Sequence, residues 1–580
     1  MEHGHPGLRT SRRRVAPTRQ LVGRNRLRDH PRLVIFSAGL AAFEAFLVVT
    51  FGPASAIPLT PQIVAPAPFG VFHDLRWLLV YHSSWPAFVG ELIVLLALRS
   101  VIDTFLTRAA LPVGVPLPPW PQQLRRVAVF TVVAAVSLGL FATLSFVMAV
   151  TSLSWLFFVF VPVLVIVGVI LHGGPIDERW WWNAPTRHGL LGVLATFVVL
   201  SVAGGVLVMV PSWLVPIVAA IAALAVAWCR CWIVGAVTRR APHTRRRPVV
   251  VIALAILLAL VVGSTALGFA IFVAVESGRS ETPLAAANAT GSPVLVVKGF
   301  NSSWNGVTRQ WVSGNHRIRR FSYRGLDAEG TPRAYDRVDT HGSVLELAAE
   351  MRVQVAALAA STQRPVSIVA ESEGALIAQA YLEATPDAPV RTAVLLSPLL
   401  EPGRVGYPLQ GDSGWGVAGG TVMNAIAAIL GTLSPVDVSA DTPLFRSIVD
   451  EAPLMQSLMQ CPVPGVREYA VLPIDSGVAS PSPIDVAMPY AVVPAFHGGL
   501  LGDHTTAQLV EQVLRGKPAH GSAWWGLVAD VVSAGAAAWQ APSLEPELED
   551  RWPDVPGSCA ALRAELGGLQ DRAGTVALRK

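Results

Sequence analysis

Seven stretches of this chain stay apolar over the length a helix needs to cross a bilayer, roughly 20 residues for about 30 Å of hydrocarbon. They are Leu33–Phe51, Trp77–Leu98, Val127–Val150, Trp155–Leu171, Gly189–Val210, Trp213–Gly235 and Val249–Val275. Inside lipid every backbone N–H and C=O must find its partner within the segment, so runs this continuous are helices. Pro86, Pro162 and Pro216 are tolerable there because packed neighbours re-satisfy the freed backbone groups. The stretch ahead of the first run, residues 1–32, has no short apolar core with an A-x-A-like site and reads as a retained tail.

Charge divides the chain in two. Residues 1–275 hold 22 arginines, no lysine and 8 acids, a net +14; residues 276–580 hold 22 basic residues and 31 acids, a net −9. The basic half offers nothing to nucleic acid, because its arginines flank apolar runs and do not spread over a polar, aromatic-bearing surface. Nine lie between Arg9 and Arg32. Arg99, Arg108, Arg125 and Arg126 follow the second run, Arg179 and Arg187 the fourth, and Arg239, Arg240, Arg245, Arg246 and Arg247 the sixth. The alternate loops hold Arg76 alone. The positive-inside rule then predicts a cytoplasmic N-terminus, and seven crossings place everything after Val275 outside. Arginine in place of lysine, with abundant Ala and Val, points to a GC-rich bacterial gene and so to a plasma membrane.

Glu44 and Glu91 fall within the first and second runs, without a basic residue at a spacing that would pair them. Asp103 and His82 are expected at the interfaces, and Trp180–Trp182 in an aromatic belt. Cys229 and Cys231 read as reduced packing residues. Cys461 and Cys559 fall in the half placed outside, where oxidation is permitted. A bridge between them would close a loop of about 100 residues, worth roughly 4.7 kcal/mol by chain entropy.

Residues 276–292 are small and polar and read as a linker. The pattern then changes to short β-branched runs alternating with helical spacing. Strands are expected at Pro293–Val297, Arg317–Tyr323, Val366–Ala370, Thr392–Leu396, Tyr469–Asp475 and Ala491–Phe496, with helices at Leu345–Ala360, Gly374–Leu382 and Thr505–Leu514. That alternation predicts an α/β domain with a mostly parallel sheet.

One turn concentrates the chemistry: Ser367-Ile368-Val369-Ala370-Glu371-Ser372-Glu373-Gly374-Ala375. A strand runs directly into a helix with serine at the corner and small residues two positions either side. Such a corner strains the serine backbone, exposes Oγ and aims the following N–H, that of Glu373, at a developing oxyanion. The plainer reading is a helix N-terminus capped by Ser372. Glu371 and Glu373 flank the serine, either to stabilise an imidazolium or to complement the helix dipole.

The segment resembles the nucleophile elbow of the α/β-hydrolase superfamily (serine esterase and lipase type), with Ala370 where the first glycine is usual. The resemblance covers residues 293–516 and implies further parts. Lys298-Gly299-Phe300 would supply the second oxyanion donor, the Phe300 N–H. His497, in His497-Gly498-Gly499-Leu500-Leu501, would be the base, with His504 as the competitor. Asp475 would be the acid, with Asp485 and Glu401 as alternatives. His316 and His341 precede the serine, against the superfamily's order, and are expected at the surface. Residues 403–458 would form a cap or lid, and residues 517–580 a C-terminal extension. The implied activity is ester hydrolysis through an acyl-enzyme at the extracytoplasmic face, with membrane lipids as neighbours and a lipid ester suiting an apolar lid. Acyl transfer with the same triad, or a non-catalytic lipid-binding sensor or transport component, are the other readings. No metal or cofactor motif is present, and none is expected.

Overall fold

The computed structural model of the protein describes residues 27–177, 180, 185–239, 291–307, 312, 315–433, 439, 441–480, 484 and 486–577. The seventh apolar run, nearly all of the linker, most of the arginine-rich tail, Trp181, Trp182 and Asp485 lie outside these residues.

The N-terminal half is helical: α1 (Pro31–Phe51), α2 (Phe69–Val80), α3 (Trp85–Ala109), α4 (Trp120–Thr151), α5 (Trp155–Leu171), α6 (Arg187–Met209) and α7 (Val215–Thr238). Four are long and apolar enough to cross a membrane: α1, α4, α6, and α7 with its leading turn, Ser212–Thr238. Among the described residues, then, four of the six expected spans that fall there are helices of spanning length, and seven spans are not supported. The second expected span breaks at residues 81–84, between α2 and α3, and α3 interrupts its apolar stretch with Glu91, Arg99, Asp103 and Arg108. Helix α5, at 17 residues, rises only about 25 Å, short of the hydrocarbon thickness.

Between α1 and α3 the chain folds inward as a 3-10 helix, Ala54–Val64, and then α2, both largely buried. Polar pairs hold this segment. Glu44 of α1 meets His73 Nε2 at 2.9 Å, and His73 Nδ1 meets Asp74 at 2.9 Å. Arg99 donates to both oxygens of Asp74, at 2.6 and 2.5 Å. Asp103 pairs with Arg230 at 3.2 Å. Glu44 thus has a basic partner that no helical spacing reveals, since His73 comes from another element. His82 and Asp103, expected at interfaces, are buried, as are Arg76 and Arg99, read as loop residues.

The second half is a six-stranded, all-parallel sheet: β1 (Ser292–Val297), β2 (His316–Arg320), β3 (Val366–Glu371), β4 (Val390–Leu396), β5 (Arg467–Pro473) and β6 (Tyr490–Val493), in the order β2-β1-β3-β4-β5-β6. Helices α8 (Val344–Thr362), α9 (Glu373–Ala384) and α13 (His504–Leu514) cover its faces, while α10 (Val417–Leu433), α11 (Pro443–Asp450) and α12 (Ala452–Ser457) form the insertion between β4 and β5. The interiors of β1, β3, β4 and β5 are mostly Val, Ile, Leu and Ala buried on both faces, as a parallel sheet between helix layers requires, whereas the edge strand β2 is His-Arg-Ile-Arg-Arg and only alternately buried.

Residues beyond 516 belong to both cores. Helix α14 (Ala523–Ala537) packs on α6 through small residues: a Cβ on Gly204 would lie 2.6 Å from Ala538 Cβ. Trp539 is fully buried, stacked on Phe197 with centroids 4.7 Å apart, and its Nε1 donates to Ser201 Oγ at 2.8 Å. The Arg76 guanidinium donates to the carbonyls of Ala538 and Gln540 at 3.1 and 2.5 Å. Helix α15 (Cys559–Ala577) returns to the sheet half, where a disulfide joins Cys559 to Cys461 and Arg563 Nε meets Glu383 at 2.8 Å.

Candidate active site

Strand β3 ends at Glu371 and α9 begins at Glu373, leaving Ser372 alone at the corner with φ 57° and ψ −122°. A non-glycine residue with positive φ persists only where its surroundings over-determine it. Here they do. The Ser372 N–H is bound by the Leu396 carbonyl at 2.9 Å, and small residues surround the turn. A Cβ on Gly299 would lie 2.8 Å from Ser372 Cβ, and one on Gly374 would lie 2.9 Å from the Lys298 carbonyl oxygen. Glycine at both positions lets the loop after β1 close over the corner. Among the described residues no group accepts from the Phe300 or Glu373 N–H.

Ser372 Oγ lies 2.8 Å from His497 Nε2. The histidine follows β6 on a loop that Glu371 secures: its Oε1 accepts the N–H groups of Leu500 and Leu501 at 2.9 and 3.2 Å. Burial lowers the His497 pKa to about 4, so the ring is neutral in its resting state. Of the two candidate bases, the structure brings His497 to the serine. His504 is the exposed first residue of α13, which is capped by Asp503.

Asp475 follows β5, fully buried. Its Oδ1 accepts the His497 backbone N–H at 3.2 Å, and its Oδ2 accepts the Ser154 hydroxyl at 2.7 Å. Burial raises its pKa to about 6 against the lowering effect of these donors. Among the described residues, nothing accepts from His497 Nδ1. The acid therefore reaches the histidine through its peptide and not through its ring. Glu401 faces Arg404 on the segment after β4.

Of the two glutamates beside the serine, Glu373 stands in the first turn of α9, where a carboxylate would face the helix dipole. Glu371 is turned to the histidine loop. Glu373 is buried with both oxygens unpartnered, and burial raises its pKa well above the ordinary value. His341 and His316 are buried, not at the surface: His341 stacks on the Phe300 ring at 4.7 Å, and His316 bonds Glu511 at 2.9 Å. Phe445 of α11 packs against Phe300 at 5.7 Å, so the insertion forms one wall of the site. The membrane half forms another. Phe158, on the first turn of α5, meets Phe496 edge to face at 5.8 Å, and both rings are exposed. Ser154 had no sequence signal beyond a serine in a short interhelical turn. Among the described residues no cluster of His, Cys, Asp and Glu could hold a metal ion.

Compared with protein-family models, with curated proteins and with solved structures, the chain matches none.

Proposed function

We propose that the protein is a membrane-bound serine hydrolase of the α/β-hydrolase type, cleaving carboxylic esters at the extracytoplasmic face through an acyl-enzyme. The observation that carries this reading is the 2.8 Å contact of Ser372 Oγ with His497 Nε2 at a corner held at positive φ. Oγ attacks the ester carbonyl as Nε2 takes its proton, and the oxyanion is received by the Phe300 and Glu373 N–H groups. The imidazolium returns that proton to the leaving alcohol. Water then repeats the sequence on the acyl-serine and frees the acid. Asp475, held against the histidine's own peptide, offsets the charge on the ring.

Sidedness is argued from the charge at the two ends of α4: Arg125 and Arg126 lie in its first turns, the turn after it, whose Ser154 meets Asp475, has no arginine, and the positive-inside rule sets that turn on the far side from the start of α4. The substrate is proposed to be an ester borne by a membrane lipid. Phe158 and Phe496 expose apolar area beside His497, and Trp524, Leu527 and Val531 form an exposed apolar stripe along α14. Exposed apolar side chains of this kind suit acyl chains.

A fluorophosphonate probe tests the reading. Full-length protein in membranes is expected to label covalently, and Ser372→Ala to abolish labelling with a loss of kcat on the order of 10⁶-fold. Folded wild-type protein that takes up no probe would overturn it.

A further inference from the structure

We infer that Ser154, on the turn between two helices of the membrane half, is a positioning residue for Asp475, so that the catalytic site is incomplete without the membrane half. The inference rests on the hydrolase reading above.

Asp475 is a fully buried carboxylate and, among the described residues, no arginine or lysine lies against it. The groups facing it are few. The turn between α4 and α5 contributes the Ser154 hydroxyl, and the loop after β6 contributes the His497 N–H and the titratable His497 ring. Its own loop contributes Ser476, whose buried Oγ is unpartnered. A buried charge without a counter-ion survives only by accepting hydrogen bonds. The Asp475 backbone N–H also donates to its own carboxylate; of the bonds from Ser154 and the His497 N–H, the shorter comes from the other half of the chain. Ser154 is itself buried, at 1% exposure.

The contact is framed on both sides. The Gly403 and Arg404 N–H groups donate to the carbonyls of Val150 and Ala149, at 2.7 and 3.0 Å, tying the end of α4 to the segment after β4. On the other side, Phe158 of α5 packs on Phe496, the residue before His497. The turn carrying Ser154 is therefore fixed to the catalytic domain by backbone bonds before it and a ring contact after it. Its hydroxyl meets the acid inside that frame.

Removing the hydroxyl leaves the ionised carboxylate with one donor fewer and favours the protonated form. A protonated Asp475 cannot offset the imidazolium. Burial holds the Asp475 pKa up at about 6, so an acid limb of activity is expected to follow its ionisation and to move upward when the hydroxyl is removed.

Ser154→Thr and Ser154→Val compare nearly equal shapes that differ in the hydroxyl. The measurement is kcat and KM against pH, using full-length protein in detergent micelles and a p-nitrophenyl ester. Ser154→Val is expected to move the acid limb up by about one pH unit, with kcat near pH 6 falling about fivefold and KM unchanged. Ser154→Thr is expected to keep the wild-type limb. On an Asp475→Asn background the Ser154→Val change is expected to have no further effect. An unmoved limb in Ser154→Val overturns the proposal, as does equal loss in the Thr and Val variants or full additivity with Asp475→Asn. Fluorophosphonate labelling of Ser372 at pH 8 separates the outcomes. Absence of labelling in wild type sinks the hydrolase reading, whereas labelling with an unmoved limb sinks only the role of Ser154.

Discussion

The two halves of the molecule solve the packing problem differently. In the sheet half, strands rich in Val, Ile, Leu and Ala and the helices over them remove apolar surface from water. In the membrane half the surroundings are as apolar as the side chains, so burial does little to choose which helices meet. Close approach at Gly204 and Gly205, the Glu44–His73–Asp74–Arg99 chain and the Asp103–Arg230 pair make that choice. The lesson is that an ionisable residue at membrane depth need not mark transport. Here most of them hold an inward-folded segment in place.

Three substitutions sharpen the contrast. The largest stability effect is expected from Trp539→Ala, which empties a slot lined by Phe69, Phe72 and Phe197 in the membrane half although the residue belongs to the C-terminal extension. The loss should be about 3–5 kcal/mol, read by thermal unfolding in detergent. Unchanged stability would mean that the extension is not part of that core. Next, Gly299→Ala places a methyl against Ser372 Cβ and shifts the loop bearing the Phe300 N–H. A loss of roughly 10²–10³ in kcat at nearly constant stability is expected, the size of one lost oxyanion donor.

The smallest effect is expected from Glu373→Gln. The Glu373 carboxyl holds its proton in the folded state at pH values where the unfolded chain has released it. Its cost to stability is therefore absent below the ordinary pKa of 4.5 and grows as pH rises towards the folded value. Unfolding temperatures at pH 5 and pH 8 should differ less in Glu373→Gln than in wild type. An equal pH slope in the two proteins would show that the buried carboxyl has found a partner.

What could be read from the sequence follows the range of the interactions. The sheet strands, the corner at Ser372 and the two long-range cysteines announce themselves by local pattern, and each strand lies within a few residues of where alternation put it. The transmembrane count failed where locality failed. Trp77–Leu98 is apolar by composition, yet the chain turns at Tyr81–Ser84 because α2 folds inward against α4. His73 beside Glu44, and Ser154 beneath Asp475, depend on elements 29 and 321 residues apart meeting in space. No periodicity encodes such a meeting. His341 was misplaced for the same reason: its stacking on Phe300 belongs to the assembled site.

The position of Trp539 has a consequence for biosynthesis. Helices α2 and α6 leave the ribosome hundreds of residues before the indole that fills the space beside them. The slot must therefore stand open, or hold a substitute, throughout elongation. Closure of these helices waits on a residue made long after them, and a chain stalled before Trp539 would present quality-control proteases with an unsealed bundle.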